Sequence, residues 1–257
     1  MDEQQLIRVE RKGPVVIVTL DNPPLNLLTP ALLGQLKTTF DDLGKDDTAR
    51  AVIITGAGDR AFSAGADTRT FGQLPSGAGG VYGKAVLDIV ESSRLPIIAA
   101  IHGYALGGGL EVALACDIRV ASEDAKIGLT EANLGLIAGY GGATRLPWLI
   151  GEGNAKLMIY SGDKFSGQEA KELGVVQFVV PREELMDKAM ALAEKFASKG
   201  PISIAVTKEI FHAERQSALG AGFHQESVSA GKIRGSEDAK EGIRALREKR
   251  QPVFKNK

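Results

Sequence analysis

The chain is poor in the side chains that usually announce a chemistry. It has one cysteine, Cys116, in 257 residues, so no internal disulfide can form and the pattern suits a reducing compartment. Its three histidines, His102, His212 and His224, are far apart and show no metal-ligand spacing with that cysteine. There is no Gly-x-Ser-x-Gly elbow, which argues against a serine hydrolase. Neither charge is in excess: 31 Lys and Arg stand against 32 Asp and Glu, a formal net charge of -1. The basic surplus expected of a nucleic-acid binder is therefore missing. Long apolar runs are missing too. The most apolar stretch, Leu95 to Ala115, is broken by His102, the triplet Gly107-Gly108-Gly109 and Glu111, so it reads as core and not as a membrane span. The opening Met-Asp-Glu-Gln-Gln has neither a basic nor an apolar leader region, and the expected location is cytoplasmic.

What is present is an ordinary globular composition, 44% hydrophobic and 25% charged, in a chain long enough to bury a substantial core. Leu6–Val9 and Val15–Leu20 read as two short strands joined at Lys12-Gly13-Pro14. Thr29 has N-cap chemistry with Pro30 at the first helical position, and Leu32, Leu33, Leu36 and Phe40 follow at helical spacing. Ala51–Thr55 is a compact, buried-type strand. The alternation continues with a helix near Gly83–Ser93, strand Ile97–Ile101, a helix from about Gly107 and strand Ile118–Ala121, which predicts an α/β architecture with parallel pairing. No internal repeat is visible. Leu74–Gly83, with four glycines, a serine and a proline, reads as a flexible segment. From about Gly200 the pattern turns wholly helical, with helices over Pro201–Glu214, Ser217–Ala230 and Ser236–Lys249. This divides the chain into a core, 1–199, and a helical subdomain, 200–257.

Four constellations bear on chemistry. Gly56-Ala57-Gly58 follows a strand, but no helix follows directly and no acid lies at the spacing a dinucleotide fingerprint needs, so a tight turn is the better reading. Ala64-Gly65-Ala66-Asp67 combines small residues with main-chain donors. Gly107-Gly108-Gly109 opens an apolar helix at a large entropic cost. That cost makes sense if bare N–H groups there face a developing negative charge, or if the helix packs tightly on a strand. Glu111 sits amid Leu110, Val112, Ala113 and Leu114, and Glu131 follows Gly128-Leu129-Thr130. Singly, each glutamate reads as a dipole partner or a cap. Together with two glycine-rich donor loops, they suggest paired acid–base groups beside an oxyanion stabiliser. The basic C-terminal run, Arg244, Arg247, Lys249, Arg250, Lys255 and Lys257, reads mainly as a solvated face.

These motifs resemble the crotonase (enoyl-CoA hydratase/isomerase) superfamily. The likeness is carried by Asn22-Pro23-Pro24-Leu25-Asn26, by Ala61 to Asp67, by Pro96 to Glu111 and by Gly128-Leu129-Thr130-Glu131. Gly139-Tyr140-Gly141-Gly142 and Lys249 to Phe254 extend it. The resemblance implies a spiral of strand–strand–helix units followed by helices that trimerise, giving a homotrimer or a hexamer of paired trimers. It implies enoyl-CoA hydration, the syn addition of water to a trans-2-enoyl-CoA, with the thioester oxygen held by the N–H groups of Ala66 and Gly108. Glu111 would activate the water and Glu131 would deliver the α-proton, while Gly139 helps hold the water. CoA, the carrier of the substrate and not a separate cofactor, would run along Leu25, Asn26, Ala64, Ala66 and Asp67. Arg69 and, from a neighbouring copy, Lys249 would lie near its phosphates. No metal, nucleic acid or membrane is expected. Thr130, Ala138, Tyr140 and Leu27 depart from the usual residues. Tyr140 and Phe71 point to short or medium acyl chains, with Thr70–Gly83 helping to line the pocket. Isomerisation or another reaction on the same oxyanion hole is the alternative within the family. An RNA-binding or scaffolding role is the alternative outside it.

Overall fold

The computed structural model of the chain describes residues 4–71 and 78–255. Strand β1 (Ile7–Lys12) pairs antiparallel with β2 (Val15–Leu20) across a turn at Gly13, whose φ is +59°. Helix α1 (Pro30–Lys45) starts as its sequence predicts, with Leu32 N donating to Thr29 Oγ1 at 3.1 Å. It buries Leu32, Leu33, Leu36, Phe40 and Leu43, each worth about 1.5–3 kcal/mol on transfer from water.

A repeat then emerges that the residue pattern hides. Strand β3 (Ala51–Gly56) is followed by short β4 (Ala61–Ser63) and helix α2 (Ala78–Ser92). Strand β5 (Ile97–Ile101) is followed by β6 (Tyr104–Leu106) and α3 (Gly108–Leu114). Strand β7 (Ile118–Ser122) is followed by β8 (Lys126–Gly128), a 3₁₀ turn at Glu131–Leu134 and α4 (Gly142–Ile150). In each unit the long strand enters one sheet and the short strand the next, which is the strand–strand–helix spiral. The remaining elements are α5 (Glu152–Ser161), β9 (Phe165–Ser166), α6 (Gly167–Glu172), β10 (Phe178–Val180), α7 (Leu185–Ala197), α8 (Pro201–Arg234) and α9 (Glu237–Glu248).

The larger sheet has the order β1-β2-β3-β5-β7-β10, parallel from β2 onward, and the smaller has the order β4-β6-β8-β9. Side chains alternate across the larger sheet as a period of two requires. Val16, Val18, Val52, Ile54, Ile97 and Ala99 enter the main core beneath α1, α2 and α3. Val15, Ile17, Ala51, Ile53, Ile98 and Ala100 face the other way, onto α7. Both faces are covered, so these strands read as unbroken apolar runs.

Two helices differ from expectation. Helix α2 begins at Ala78 and not near Gly83. Its glycines serve close packing: a Cβ on Gly83 would lie 2.5 Å from the Tyr140 ring, and one on Gly80 would lie 3.3 Å from Ala230 Cβ. The rest of the segment expected to be flexible, 72–77, lies outside the described residues. Pro201–Glu214 and Ser217–Ala230 are one helix, α8, of 34 residues. Ser217 has cap chemistry, but no proline or left-handed residue interrupts the run, and a cap residue alone does not end a helix. Helix α8 packs on α2 and α4. Helix α9 lies against the Glu131–Leu134 turn so closely that a Cβ on Gly242 would come within 2.3 Å of Leu134 O.

Candidate active site

Two bare N–H groups arise from the local backbone. Ala66 forms an isolated parallel bridge with Leu28. In such a bridge the partner bonds to the residues on either side: Leu28 N donates to Gly65 O at 2.9 Å, and Asp67 N donates to Leu28 O at 3.0 Å. The N–H of Ala66 is left over, with no acceptor among the described residues. Gly108 opens α3, where the first turn has N–H groups that no helical carbonyl can reach. The three glycines divide the work. Gly107 adopts φ +53° and donates to Gly128 O at 2.8 Å. A Cβ on Gly108 would stand 3.2 Å from Leu28 Cδ1 and 3.4 Å from Ala66 N, in the space between the two donors. A Cβ on Gly109 would lie 2.1 Å from Ser63 O, so tight packing on β4 and donor exposure both operate.

Glu111 and Glu131 line the same cleft as Ala64, Ala66, Gly108 and Gly139. Glu111 is buried, and its Oε1 accepts from Tyr140 N and Gly142 N, both at 2.7 Å. Taking both bonds on Oε1 leaves Oε2 for the cleft. Burial holds the Glu111 carboxyl well above the usual carboxylate range, reinforced by the charges of Glu131 and Glu226 and opposed by the two amides. Glu131 is half-buried overall, but its Oε2 is enclosed and has no hydrogen-bond partner among the described residues. Desolvation pushes its pKa up to about 7. Thr130 makes no side-chain cap here, so capping does not account for the pair.

A third carboxylate, which the sequence reading missed, completes the group. Glu226 on α8 is buried; it accepts from Gly141 N at 2.5 Å and from Thr144 Oγ1 at 3.0 Å, and burial raises its pKa to about 7. Consecutive amides of the 140–142 strap thus alternate between Glu111 on one side and Glu226 on the other. Arg145 braces the strap from behind, with Nη1 donating to Tyr140 O at 2.7 Å. Gly141, at φ +103°, has no room for a Cβ beside Arg145 Nη1. Nothing in the local sequence marks Glu226; it lies 85 residues from the amide it holds.

Other expected residues lie outside the cleft. Asn26, at φ 51°, is buried and donates to Ala57 O at 2.9 Å and Ala61 O at 2.7 Å. Leu25 O accepts from Ala64 N at 2.9 Å. These two residues build the loop that holds Ala64 and Ala66. Asp67 caps the 3₁₀ turn at Thr68–Thr70 and makes two 2.8 Å bonds to Arg69, which hold its carboxyl below its ordinary range. Lys249 is the exposed left-handed cap of α9. In the basic C-terminal run, Arg244 and Arg250 pair with Glu241.

Comparison with known proteins shows the family. The family model for enoyl-CoA hydratase/isomerase matches residues 10–257. The chain belongs to the enoyl-CoA hydratase/isomerase family. It is 44% identical over 246 residues to a Bacillus subtilis protein named "Probable enoyl-CoA hydratase", covering 94% of this chain and 95% of that one. It is 36% identical to the short-chain-enoyl-CoA hydratase of Clostridium acetobutylicum, covering 97% of each. The crystal structure of carnitinyl-CoA hydratase from Mycobacterium avium superposes with a TM-score of 0.90 at 34% identity, covering 99% of this chain and all of the other. The crotonase spiral inferred from the motifs is the fold these neighbours share.

Proposed function

We propose that the protein is an enoyl-CoA hydratase that adds water syn across the double bond of a trans-2-enoyl-CoA to give a 3-hydroxyacyl-CoA. The observation that carries this reading is a pair of carboxyls with no ion pair among the described residues, Glu111 and Glu131, in one cleft with the bare N–H groups of Ala66 and Gly108. The thioester oxygen accepts from both N–H groups, which stabilises the enolate as charge develops. Water loses a proton to Glu111 as its oxygen bonds to the β-carbon. Glu131 gives a proton to the α-carbon, so one carboxyl gains the proton that the other supplies and the pair's proton count is conserved. Two neighbouring buried carboxyls favour sharing one proton over ionising together, which is the state this chemistry needs. The amides of Tyr140 and Gly142 fix the water-side carboxyl, and Gly139 beside them helps hold the water. The CoA arm crosses the loop of Leu25, Asn26 and Ala64, with Arg69 near its phosphates and Lys249 reaching a neighbouring copy. Phe71 and Tyr140 line the cleft and suit a short acyl chain.

Assembly as a trimer, singly or paired, belongs to the same proposal. Ile202, Val206, Ile210 and Phe211 on α8 are exposed apolar side chains, and Phe211 joins Trp148 and Leu149 around a large hollow away from the cleft. A face of this kind calls for a partner, and light scattering after gel filtration reads the mass directly. The activity is tested by loss of the conjugated enoyl-thioester absorbance of crotonyl-CoA, with 3-hydroxybutyryl-CoA identified as product. Binding of crotonyl-CoA, 2-pentenoyl-CoA and glutaconyl-CoA without hydration of any of them would defeat the hydratase reading and direct attention to isomerisation of 3-enoyl-CoA.

A further inference from the structure

Helix α8 lays one face on the site. Glu226, Ala230 and Arg234 recur every fourth residue and so share that face. Glu226 holds Gly141 N, and Ala230 Cβ lies 3.0 Å from where a Gly139 Cβ would stand. Arg234 lines the cleft beside Phe71 and Tyr140. The same three residues also line an adjoining pocket, otherwise walled by Leu28, Pro30, Leu33, Thr70 and Tyr82. Arg234 is the one cation among the described residues lining either space.

Its surroundings set it apart from the other inward arginines. Arg145 is held by Asp88 and Glu91 at 2.6 and 3.1 Å, and Arg119 by the carbonyls of Val175 and Cys116 at 2.7 Å. Among the described residues Arg234 has no ion pair and its buried Nε has no hydrogen-bond partner. Its Cζ lies 4.7 Å from the centre of the Phe71 ring. Stacking of this kind steadies a guanidinium while leaving its in-plane N–H donors to bond elsewhere. A buried donor left unpaired is costly, and a fork of N–H groups fits a carboxylate with two parallel bonds.

Resting on the acyl-thioester reading above, we infer that Arg234 is a specificity-determining residue that recognises a carboxylate at the far end of the acyl chain, so that the preferred substrates are short enoyl-CoA monothioesters of dicarboxylic acids. The thioester oxygen sits at Ala66 and Gly108, the reacting carbons face Glu111 and Glu131, and the terminal carboxylate meets Arg234 in the side pocket. The arrangement also enforces polarity, because the two cleft glutamates repel an anionic chain end and Arg234 attracts it. An acyl chain ending in a quaternary ammonium is disfavoured by the same charge.

The test compares five-carbon thioesters that differ at the chain end. Glutaryl-CoA and pentanoyl-CoA are titrated into the intact protein by calorimetry. The matched unsaturated pair, glutaconyl-CoA and 2-pentenoyl-CoA, is compared by kcat/KM. Wild type is expected to favour the carboxylated member of each pair by about tenfold or more, the scale of a charge-assisted pair. Arg234→Met should abolish or invert that ratio, and Arg234→Lys should restore part of it; pentanoyl-CoA binding by each variant reports that the cleft is still assembled. Equal or weaker binding of glutaryl-CoA by wild type, or a preference that survives Arg234→Met, overturns the inference while leaving the acyl-thioester reading intact. If neither saturated thioester binds, the acyl-thioester reading itself fails and the inference falls with it.

Discussion

Glu91 and Glu111 are both almost fully buried, at 4% and 2% exposure, yet they sit in opposite electrostatic settings. Glu91 on α2 is clasped by cations: Arg145 at 3.1 Å and Arg215 at 2.5 Å. Glu111 on α3 has no ion pair among the described residues; two backbone amides hold one of its oxygens, and burial together with two other carboxyls, Glu131 and Glu226, raises its proton affinity. A buried acid clasped by arginines ties together the elements that carry them. A buried acid ringed by amides and other acids can exchange a proton at small cost. Burial alone therefore does not mark a catalytic carboxylate. The sign of what surrounds it does.

The largest effects that would break this contrast come from neutralising each acid in turn. Glu111→Gln and Glu131→Gln should each lower kcat on crotonyl-CoA by about 10²–10⁴, the range for a lost acid–base group, with circular dichroism unchanged. Retained turnover in both variants would end the two-carboxylate mechanism. Glu91→Gln should act on folding instead. It leaves Arg145 with Asp88 alone, and breaking one side of a buried pair destabilises by about 3–5 kcal/mol. Urea unfolding measures this loss, and a variant that unfolds like wild type would show that Glu91 is no anchor.

The sequence carries this contrast only in part, for physical reasons. Glu111 and the Gly107–Gly109 run are adjacent, so donor loop and acid could be read together. Thr29-Pro30 and the Ile97–Ile101 run announce a cap and a buried strand by local chemistry alone. Strands β4, β6 and β8, at three residues each, are too short for any periodicity to register, and so the repeat stayed hidden. The alternation of Glu111 and Glu226 along one strap depends on α8 folding back across the site. The same holds for the Glu91 clasp: Arg145 lies 54 residues away from it in sequence. The resemblance implies that Asn26 and Asp67 lie along CoA; what their local sequence does not reveal is that their side chains also brace their own loop, Asn26 through the Ala57 and Ala61 carbonyls and Asp67 through Arg69.

Smaller effects sharpen the comparison at its donors. In Gly108→Ala the new methyl would stand between the two N–H groups, 3.2 Å from Leu28 Cδ1. Since the residue is helical and φ there is not positive, stability should change little, while kcat falls roughly 10- to 100-fold, toward the loss of one oxyanion donor. Normal turnover by this variant would place the thioester oxygen elsewhere.

Glu226→Gln probes how the third carboxyl sets the pair. Glu226 faces Thr144 and Arg145 of α4 and Lys84 of α2, and it raises the proton affinity of both Glu111 and Glu131. With Glu131 as the proposed proton donor, kcat/KM should fall as pH rises through about 7. Removing the Glu226 charge should move that falling limb to lower pH, with KM nearly unchanged. A limb that stays in place would reduce Glu226 to a strut for Gly141.

The smallest expected effect is on stability, and its sign follows from proton uptake. Desolvation lifts Glu131 and Glu226 to about 7 from an ordinary value of 4.5. The folded chain therefore keeps protons at these sites that the unfolded chain has released. Their contribution is full below about pH 4.5 and is lost as pH rises through about 7. Melting temperature should thus decline between about pH 5 and 8, then level off, as far as these two groups control it. Glu226→Gln has no proton to lose and should flatten the slope, even though its absolute stability also reflects the altered bond to Gly141. An unchanged slope would mean that Glu226 is already ionised in the folded protein, stabilised by Lys84 and Arg145. Glu226 would then belong with Glu91 among the anchors and not with the acids poised for proton transfer.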